Sequence, residues 1–354
     1  MTANESNSPP EADETPSQIE EAMGLIGGVE LIRGQVLNAS SKLGILDYLD
    51  TEPIPADEVA TELDLNSEYT YRVLRALAAF EVLNEHDHRR FSLTDIGAYF
   101  QADHPQSLRD AVRYGVGQPR ISAIQHLPTI IQEGESTGYE CEFGCDLFEY
   151  TEQNPSFGQH FNGTQTLLSM TATRSVLEAL DPYDFSETST ICDVGGGHGH
   201  LLSHLLDAHP HLKGVVLELP SVIAEEGQLW APKLGVDDRC TYLEGDMFDD
   251  VPTADAYIMK YLLHNWSDDE CVQILSNIDQ ASPDGGRVFV VERVLQEETP
   301  SVPAVYLDMI MMLETGGRER TKSEYATLFE QVGWEIDTVW ETGGNVSVVE
   351  GVKT

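Results

Sequence analysis

The strongest chemical signal in the chain is a glycine turn, Asp193-Val194-Gly195-Gly196-Gly197-His198-Gly199-His200. The β-branched run TICDV leads into it and the apolar-periodic HLLSHLLDAH follows, which predicts strand, glycine turn, helix. In a doubly wound sheet the ligand crevice lies outside the carboxyl ends of such strands. Glycines there let the backbone approach a ligand closely. A dinucleotide site would carry G-x-G-x-x-G, with its third glycine at position 200. His200 stands there instead, and the spacing is G-x-G-x-G from Gly195, Gly197 and Gly199, so a pyrophosphate is not required.

An acidic residue about 20 positions on, at the end of the next strand, is expected to hold ribose hydroxyls. Glu218 in VVLELP sits 19 residues after Gly199. Read alone it is as readily an ordinary strand-end carboxylate, and the strand context tips it toward binding. Asp246 and Met247, in GDMF, follow the third strand at the same crevice edge. An Asp there accepts from an adenine amino group, and a Met packs on the ring. His198, His200 and His204 look metal-like, because i and i+4 share a helix face. No Asp, Glu or Cys falls at a clear further offset, so no metal is expected, and the three read as polar residues on the first turns of a surface helix.

The elements that must position these residues follow from periodicity. Residues 1–18 are polar, acidic and free of basic residues, and read as a disordered tail. Helical spacing begins near Ile19 and runs through to LGILDYL. PADEVATELDL and SEYTYRVLRALAAF continue it, and VLNEHDHRRFSLT reads as two short strands around a polar turn. Three helices and a β-wing make a winged helix within residues 19–104. Residues 105–180 read as helices. From 181 to 354 short β-branched runs alternate with helices, which predicts a parallel sheet with helices on both faces. EIDTVWE and NVSVVEG close the chain as an antiparallel hairpin on the sheet's edge.

Composition narrows the function classes. The 354 residues hold 61 Asp and Glu against 20 Lys and Arg, a formal charge of -41. Such a chain repels nucleic-acid phosphate and lacks a polybasic membrane surface. No stretch approaches the length of a membrane span, and the N-terminus carries no signal-peptide pattern. Only six of the basic residues are Lys. An acidic, Lys-poor surface suits a high-salt cytoplasm, where repulsion is screened within a few Å. The five scattered Cys read as reduced thiols of a cytoplasmic protein.

DVGGGHG, LELPSV, GDMF, MKYLLHNWSDDEC and GGRERT occur in the order and approximate spacing of a known family. Together with LGILDYL and VLRALAAFEVL, they resemble the AdoMet-dependent O-methyltransferases of the plant-phenolic, acetylserotonin and bacterial polyketide type, over roughly residues 20 to 354. The resemblance implies a winged-helix dimerisation domain and a Rossmann-like class I methyltransferase domain with a seven-stranded, mostly parallel sheet. It implies S-adenosyl-L-methionine (AdoMet) as cofactor, a homodimer, and a small-molecule methyl acceptor. Gly195 and Gly197 would line the methionine moiety and Glu218 would hold the ribose, a role usually given to Asp. Asp246 and Met247 would meet adenine, and Lys260 would reach the cofactor. His264 would be the general base, flanked by Glu292 and Glu319.

The chemistry is consistent with this. Methyl transfer from a sulfonium is an in-line displacement in which the protein mostly aligns donor and acceptor. A phenol is mostly protonated at neutral pH, so a His near its own pKa takes the proton as attack proceeds. Two departures concern the acceptor. His264-Asn265-Trp266 stands where the family often has His-Asp-Trp, and Phe161-Asn162-Gly163-Thr164-Gln165 differs from the family's stretch over the acceptor pocket. Phe161, Met170, Tyr306, Met309 and Met312 are candidates for an apolar pocket, or plain core. The alternatives are C- or N-methylation of a pigment or small metabolite, and an AdoMet-sensing winged-helix regulator. For the regulator, the helix from Ser67 to Phe80 offers only Arg72 and Arg75 to DNA, beside Glu68 and Glu81.

Overall fold

Local sequence sets each element, and the computed structural model describes them over residues 25–354, in two compact units that part between Thr94 and Asp95. The expected acidic tail and the start of the helical run at Ile19 lie outside the described residues. In the first unit that run is not one helix. α1 (Gly28–Lys42) and α2 (Ile45–Tyr48) are separated by Gly44, whose φ of +71° favours a residue without Cβ. β1 (Ile54–Pro55), α3 (Ala56–Glu62) and α4 (Ser67–Ala79) follow, with the Asn66 side chain capping α4. β2 (Leu83–His86) and β3 (Arg90–Leu93) form the wing, and β1 adds a third strand against β3. Leu25, Ile26, Val29, Leu31 and Ile32 are all more than half exposed in the single chain.

The second unit begins with helices, among them α5 (Arg109–Gly115), α6 (Leu147–Gln153) and the 26-residue α7 (Pro155–Leu180). Gly163 sits mid-helix in α7, where glycine costs about 1 kcal/mol relative to Ala. Its reason is contact: a Cβ there would lie 2.1 Å from the Asp110 carboxylate of α5, which also meets His160 Nδ1 at 2.8 Å. The alternating part then runs β4 (Thr190–Val194), α8 (His200–Ala208), β5 (Lys213–Glu218), β6 (Cys240–Glu244), β7 (Ala256–Lys260), α9 (Asp268–Ala281) and β8 (Arg287–Glu292). It closes with α10 (Val302–Glu314), α11 (Lys322–Gln331), β9 (Trp334–Glu341) and β10 (Ser347–Lys353).

The seven strands lie in the order β9-β10-β8-β7-β4-β5-β6. β4 to β8 are mutually parallel, and β10 runs antiparallel to β8 with β9 outside it. The seven-stranded, mostly parallel sheet is therefore as the sequence implies. Strand alternation feeds two cores, one on each face. Ala256 and Ile258 of β7 pack with α7 and α8, while Tyr257 and Met259 pack with α9 and α11. Each fully buried Leu, Ile or Val contributes about 1.5–3 kcal/mol. Both cores leave the carboxyl ends of β4, β5 and β7 facing one crevice. No described helix is long and apolar enough to cross a membrane.

Candidate active site

The turn after β4 is built by its glycines. Gly195, Gly197 and Gly199 have φ of +64°, +58° and +75°. A Cβ at Gly195 would strike Leu262 at 2.7 Å, one at Gly196 the Asp193 carboxyl at 2.6 Å, and one at Gly199 the Tyr242 hydroxyl at 2.7 Å. Packing against the protein demands those three. At Gly197 a Cβ meets no atom within 4 Å, so the space above it belongs to a cavity of about 560 Å³.

Gly195, Gly197, Glu218, Asp246, Met247 and Lys260 all line that cavity. The Gly197 N–H donates to Glu218 Oε2 (2.8 Å), and Leu219 N–H donates to Oε1 (2.8 Å). A turn whose amide is already spent on a carboxylate is a poor phosphate cradle. Glu218 and Asp246 instead offer acceptor oxygens to a ligand that brings hydroxyl and amino donors. These acceptors and the open space over Gly197 fit the adenosine and aminoacyl parts of AdoMet. Asp193, buried under the turn, is pushed up to about 7 by burial, against the pull of the Lys260 ammonium. Burial lowers Lys260 in turn.

The histidines beside the turn are not on a surface helix. His198 and His200 are each 6 % exposed, because α7 packs across them and supplies their partners. His198 Nδ1 meets Thr166 Oγ1 at 2.9 Å and its Nε2 meets Glu225 Oε2 at 3.0 Å. Thr173 Oγ1 lies 2.9 Å from His200 Nδ1. Burial first, then the neighbouring His204, drives His200 down to about 3, so it stays neutral. Among the described residues, no group of three His, Cys, Asp or Glu is arranged to hold a metal.

His264 lies in a one-turn 3₁₀ helix, Leu263–Asn265, after β7. Its ring is 4 % exposed and stands behind the cavity wall, which is formed there by Tyr261, Leu262, Asn265 and Trp266. Nδ1 meets Glu319 Oε1 at 2.7 Å. Glu292 does not touch the ring. Its Oε1 accepts from the backbone N–H of Leu262 (3.0 Å) and His264 (3.1 Å), and its other oxygen accepts from the Tyr325 hydroxyl. Burial alone would depress His264, but the Glu292 and Glu319 carboxylates outweigh it and hold the imidazole above its ordinary value. Gly317 lets the loop that carries Glu319 reach this turn, since a Cβ there would lie 2.0 Å from the His264 carbonyl oxygen. The Arg318 N–H donates to that oxygen at 2.9 Å.

Several of these partners are invisible in sequence. Arg320, fully buried, donates to the carbonyls of Leu263 (2.9 Å) and Trp266 (2.8 Å) and to Asp268. Phe148 stacks on Trp266 with centroids 5.5 Å apart, and Phe161 and Phe248 meet this pair edge-on. These four rings give the cavity an aromatic wall. Of the apolar candidates, Phe161 lines the cavity, whereas Met170, Tyr306, Met309 and Met312 do not. Asn265, the departure from His-Asp-Trp, donates its amide N–H to the carbonyls of Tyr261 (3.0 Å) and Leu262 (3.2 Å). A carboxylate cannot donate there.

A family model for the O-methyltransferase domain matches residues 124–335, and one for the O-methyltransferase dimerisation domain matches residues 26–103. The chain is 35% identical over 319 residues to phenazine O-methyltransferase PhzM of Lysobacter antibioticus, covering 89% of this chain and 91% of that one. The crystal structure of LaPhzM superposes with a TM-score of 0.88 at 31% identity, covering 96% and 100% of the two chains. Human N-acetylserotonin methyltransferase in complex with SAM (AdoMet) superposes with a TM-score of 0.83 at 25% identity, covering 96% and 99%.

The Asn265 contacts make a prediction. Asn265→Asp would restore the family's residue but set a carboxylate against two carbonyl oxygens. It should destabilise the chain by about 1–3 kcal/mol, seen as a lower melting temperature by calorimetry at pH 7. Part of the loss should return at pH 4, where an Asp regains a proton to donate.

Proposed function

The chain belongs to the O-methyltransferase family and is an AdoMet-dependent methyltransferase, and from that premise we propose that it methylates a hydroxyl of a small aromatic metabolite with His264 as general base. The observation that supports this most is that the open glycine turn and the aromatic wall line one cavity, with the buried His264–Glu319 pair behind the wall formed by Tyr261, Leu262, Asn265 and Trp266. AdoMet, when bound, supplies the electrophilic methyl group on its sulfonium. In this reading the backbone at Gly195 and Gly197 lies against the methionine part, Glu218 accepts from the ribose hydroxyls, and Asp246 and Met247 take the adenine. Lys260 sets the charge beneath the turn. Phe148, Phe161 and Trp266 hold a planar acceptor, the kind of molecule named for the phenazine enzyme.

An ionised Glu319 only accepts, so beside it neutral His264 carries its proton on Nδ1 and leaves the Nε2 lone pair for the acceptor's proton. Glu319 then supports the imidazolium that forms. Glu292 holds the turn's backbone, and its charge supports that cation as well. A second reading, transfer to nitrogen or carbon, needs no base and is favoured by one observation: the His264 ring is not itself part of the cavity wall.

Turnover with labelled AdoMet and a panel of phenols separates the two readings. His264→Ala should cut transfer by about 100- to 10,000-fold, the usual worth of a general base. The loss should shrink as the phenol becomes more acidic. An unprotonated base is required, so kcat/KM should rise with pH through an inflection above 6.5, the ordinary His value. Glu319→Gln should move that inflection down and lose less activity than His264→Ala. Transfer at the parent rate by His264→Ala on every acceptor, with methyl found on nitrogen or carbon, would establish the second reading.

We further propose a homodimer working in a high-salt cytoplasm. The exposed apolar residues 25–32 support the dimer, since a partner would bury them. The charge of -41 supports the salt. Light scattering in 2 M KCl should give twice the chain mass of 39.2 kDa. The melting temperature should fall as KCl is lowered to 0.1 M. A strict monomer at micromolar concentration, or a melting temperature indifferent to salt, would count against these two proposals respectively.

A further inference from the structure

The long helix α7 is tied to the glycine turn by side chains that the reading above leaves without a task. Asn162, Thr166 and Thr173 fall at offsets of four and eleven residues, so all three lie within about 40° on one face of the helix. Thr166 and Asn162 reach the turn through one hub. His198 Nδ1 lies 2.9 Å from Thr166 Oγ1, its Nε2 lies 3.0 Å from Glu225 Oε2, and Asn162 Nδ2 donates to Glu225 Oε1 at 2.9 Å. The backbone of His198 is fixed as well. Its carbonyl accepts from Trp230 N (3.0 Å) and from the Tyr242 hydroxyl (3.0 Å).

The donor pattern is determined by the chemistry. An ionised Glu225 only accepts, so Nε2 carries the hydrogen and Nδ1 accepts from the Thr166 hydroxyl. Burial, partly offset by Glu225, keeps the ring below its ordinary pKa and therefore neutral. All four residues line the same cavity as Gly197. On α7, Asn162 and Thr166 sit in the same stretch as Phe161, which belongs to the aromatic wall. A helix moves as a unit, so whatever fixes Asn162 and Thr166 fixes Phe161 too.

We infer that His198 and Glu225 are positioning residues: they latch α7 to the glycine turn, so that a ligand seated on the turn orders the aromatic wall before the acceptor arrives. This rests on the reading of the turn as the AdoMet site. It predicts that the cofactor end and the acceptor end of the cavity are energetically coupled, with Thr166–His198–Glu225–Asn162 as the connection. It also accounts for a histidine at the fourth position of the glycine turn, between Gly197 and Gly199. A smaller side chain would leave the Glu225 carboxylate and the Thr166 hydroxyl half-buried without each other.

The test uses S-adenosylhomocysteine as probe, on the full chain in 2 M KCl, with calorimetry for affinity and hydrogen exchange for order. In the parent the probe should slow exchange both at residues 195–202 and along 158–170 of α7. Thr166→Val keeps the shape of the side chain and leaves the glycine turn and the residues assigned to AdoMet in place. It should bind the probe within a few-fold of the parent and keep the slowing at 195–202, but lose it along 158–170. His198→Ala, at saturating probe, should also lose the slowing along 158–170, and His198→Gln, which can donate to Glu225, should recover part of it. A merely structural role would raise exchange with and without the probe alike and leave the ligand-dependent difference intact. If both variants slow along 158–170 as the parent does, or if the parent shows no slowing there, the latch is wrong. If the parent does not bind the probe at all, the cofactor reading of the turn fails, and the latch fails with it.

Discussion

The turn after β7 is held by buried charge on both sides, and the geometry of the site follows from that constraint. Tyr261 opens the turn in the left-handed region, at φ +53°, a conformation that costs a residue with a Cβ about 1 kcal/mol or more. Glu292 repays this by taking two N–H groups of the turn, those of Leu262 and His264, on one oxygen. Arg320 takes the carbonyls of Leu263 and Trp266. Asn265 closes the remaining carbonyls of Tyr261 and Leu262 from within the turn. Buried ions are tolerated when they are well hydrogen-bonded, and here backbone groups together with Tyr325 and Asp268 supply the partners of Glu292 and Arg320. The imidazole then has one orientation, with Nδ1 on Glu319.

The same logic runs through the other half of the cavity. A carboxylate at the end of β5, Glu218, accepts from the Gly197 amide and so fixes the turn after β4. Each strand end is thus oriented by an acid from a neighbouring element. At this end Glu218 and Asp246 place acceptor oxygens on the cavity, where a nucleoside would present donors.

The glycine turn, the alternation of strands and helices, and the strand-end residues that line the cavity beside the turn were legible because their signals are local. A strand, a G-x-G-x-G spacing and an acid at the next strand end can be read along the chain. Glu292 was legible as a residue but not as a contact. Its partner is a backbone amide 28 residues away, and no side-chain pattern announces that. His198 and His200 were misread as exposed for a related reason. Their partners, Thr166 and Thr173, lie on a helix separated from them by 32 and 27 residues, and burial by a distant helix leaves no trace in the local period. Arg320 carries no local sign of burial in GGRERT, and only the fold shows it at 0 % exposure. Asn265 looked like a lost carboxylate, whereas the turn uses it as a donor.

The central claim is that Glu319 sets both the tautomer and the basicity of His264. Nitrogen NMR of the histidine-labelled protein, titrated from pH 5 to 9 and assigned by comparison with His264→Ala, measures both directly. The account predicts a neutral form protonated on Nδ1 and a titration midpoint above 6.5, falling in Glu319→Gln. A neutral form protonated on Nε2, or a midpoint below 6.5 that Glu319→Gln leaves unmoved, would contradict it.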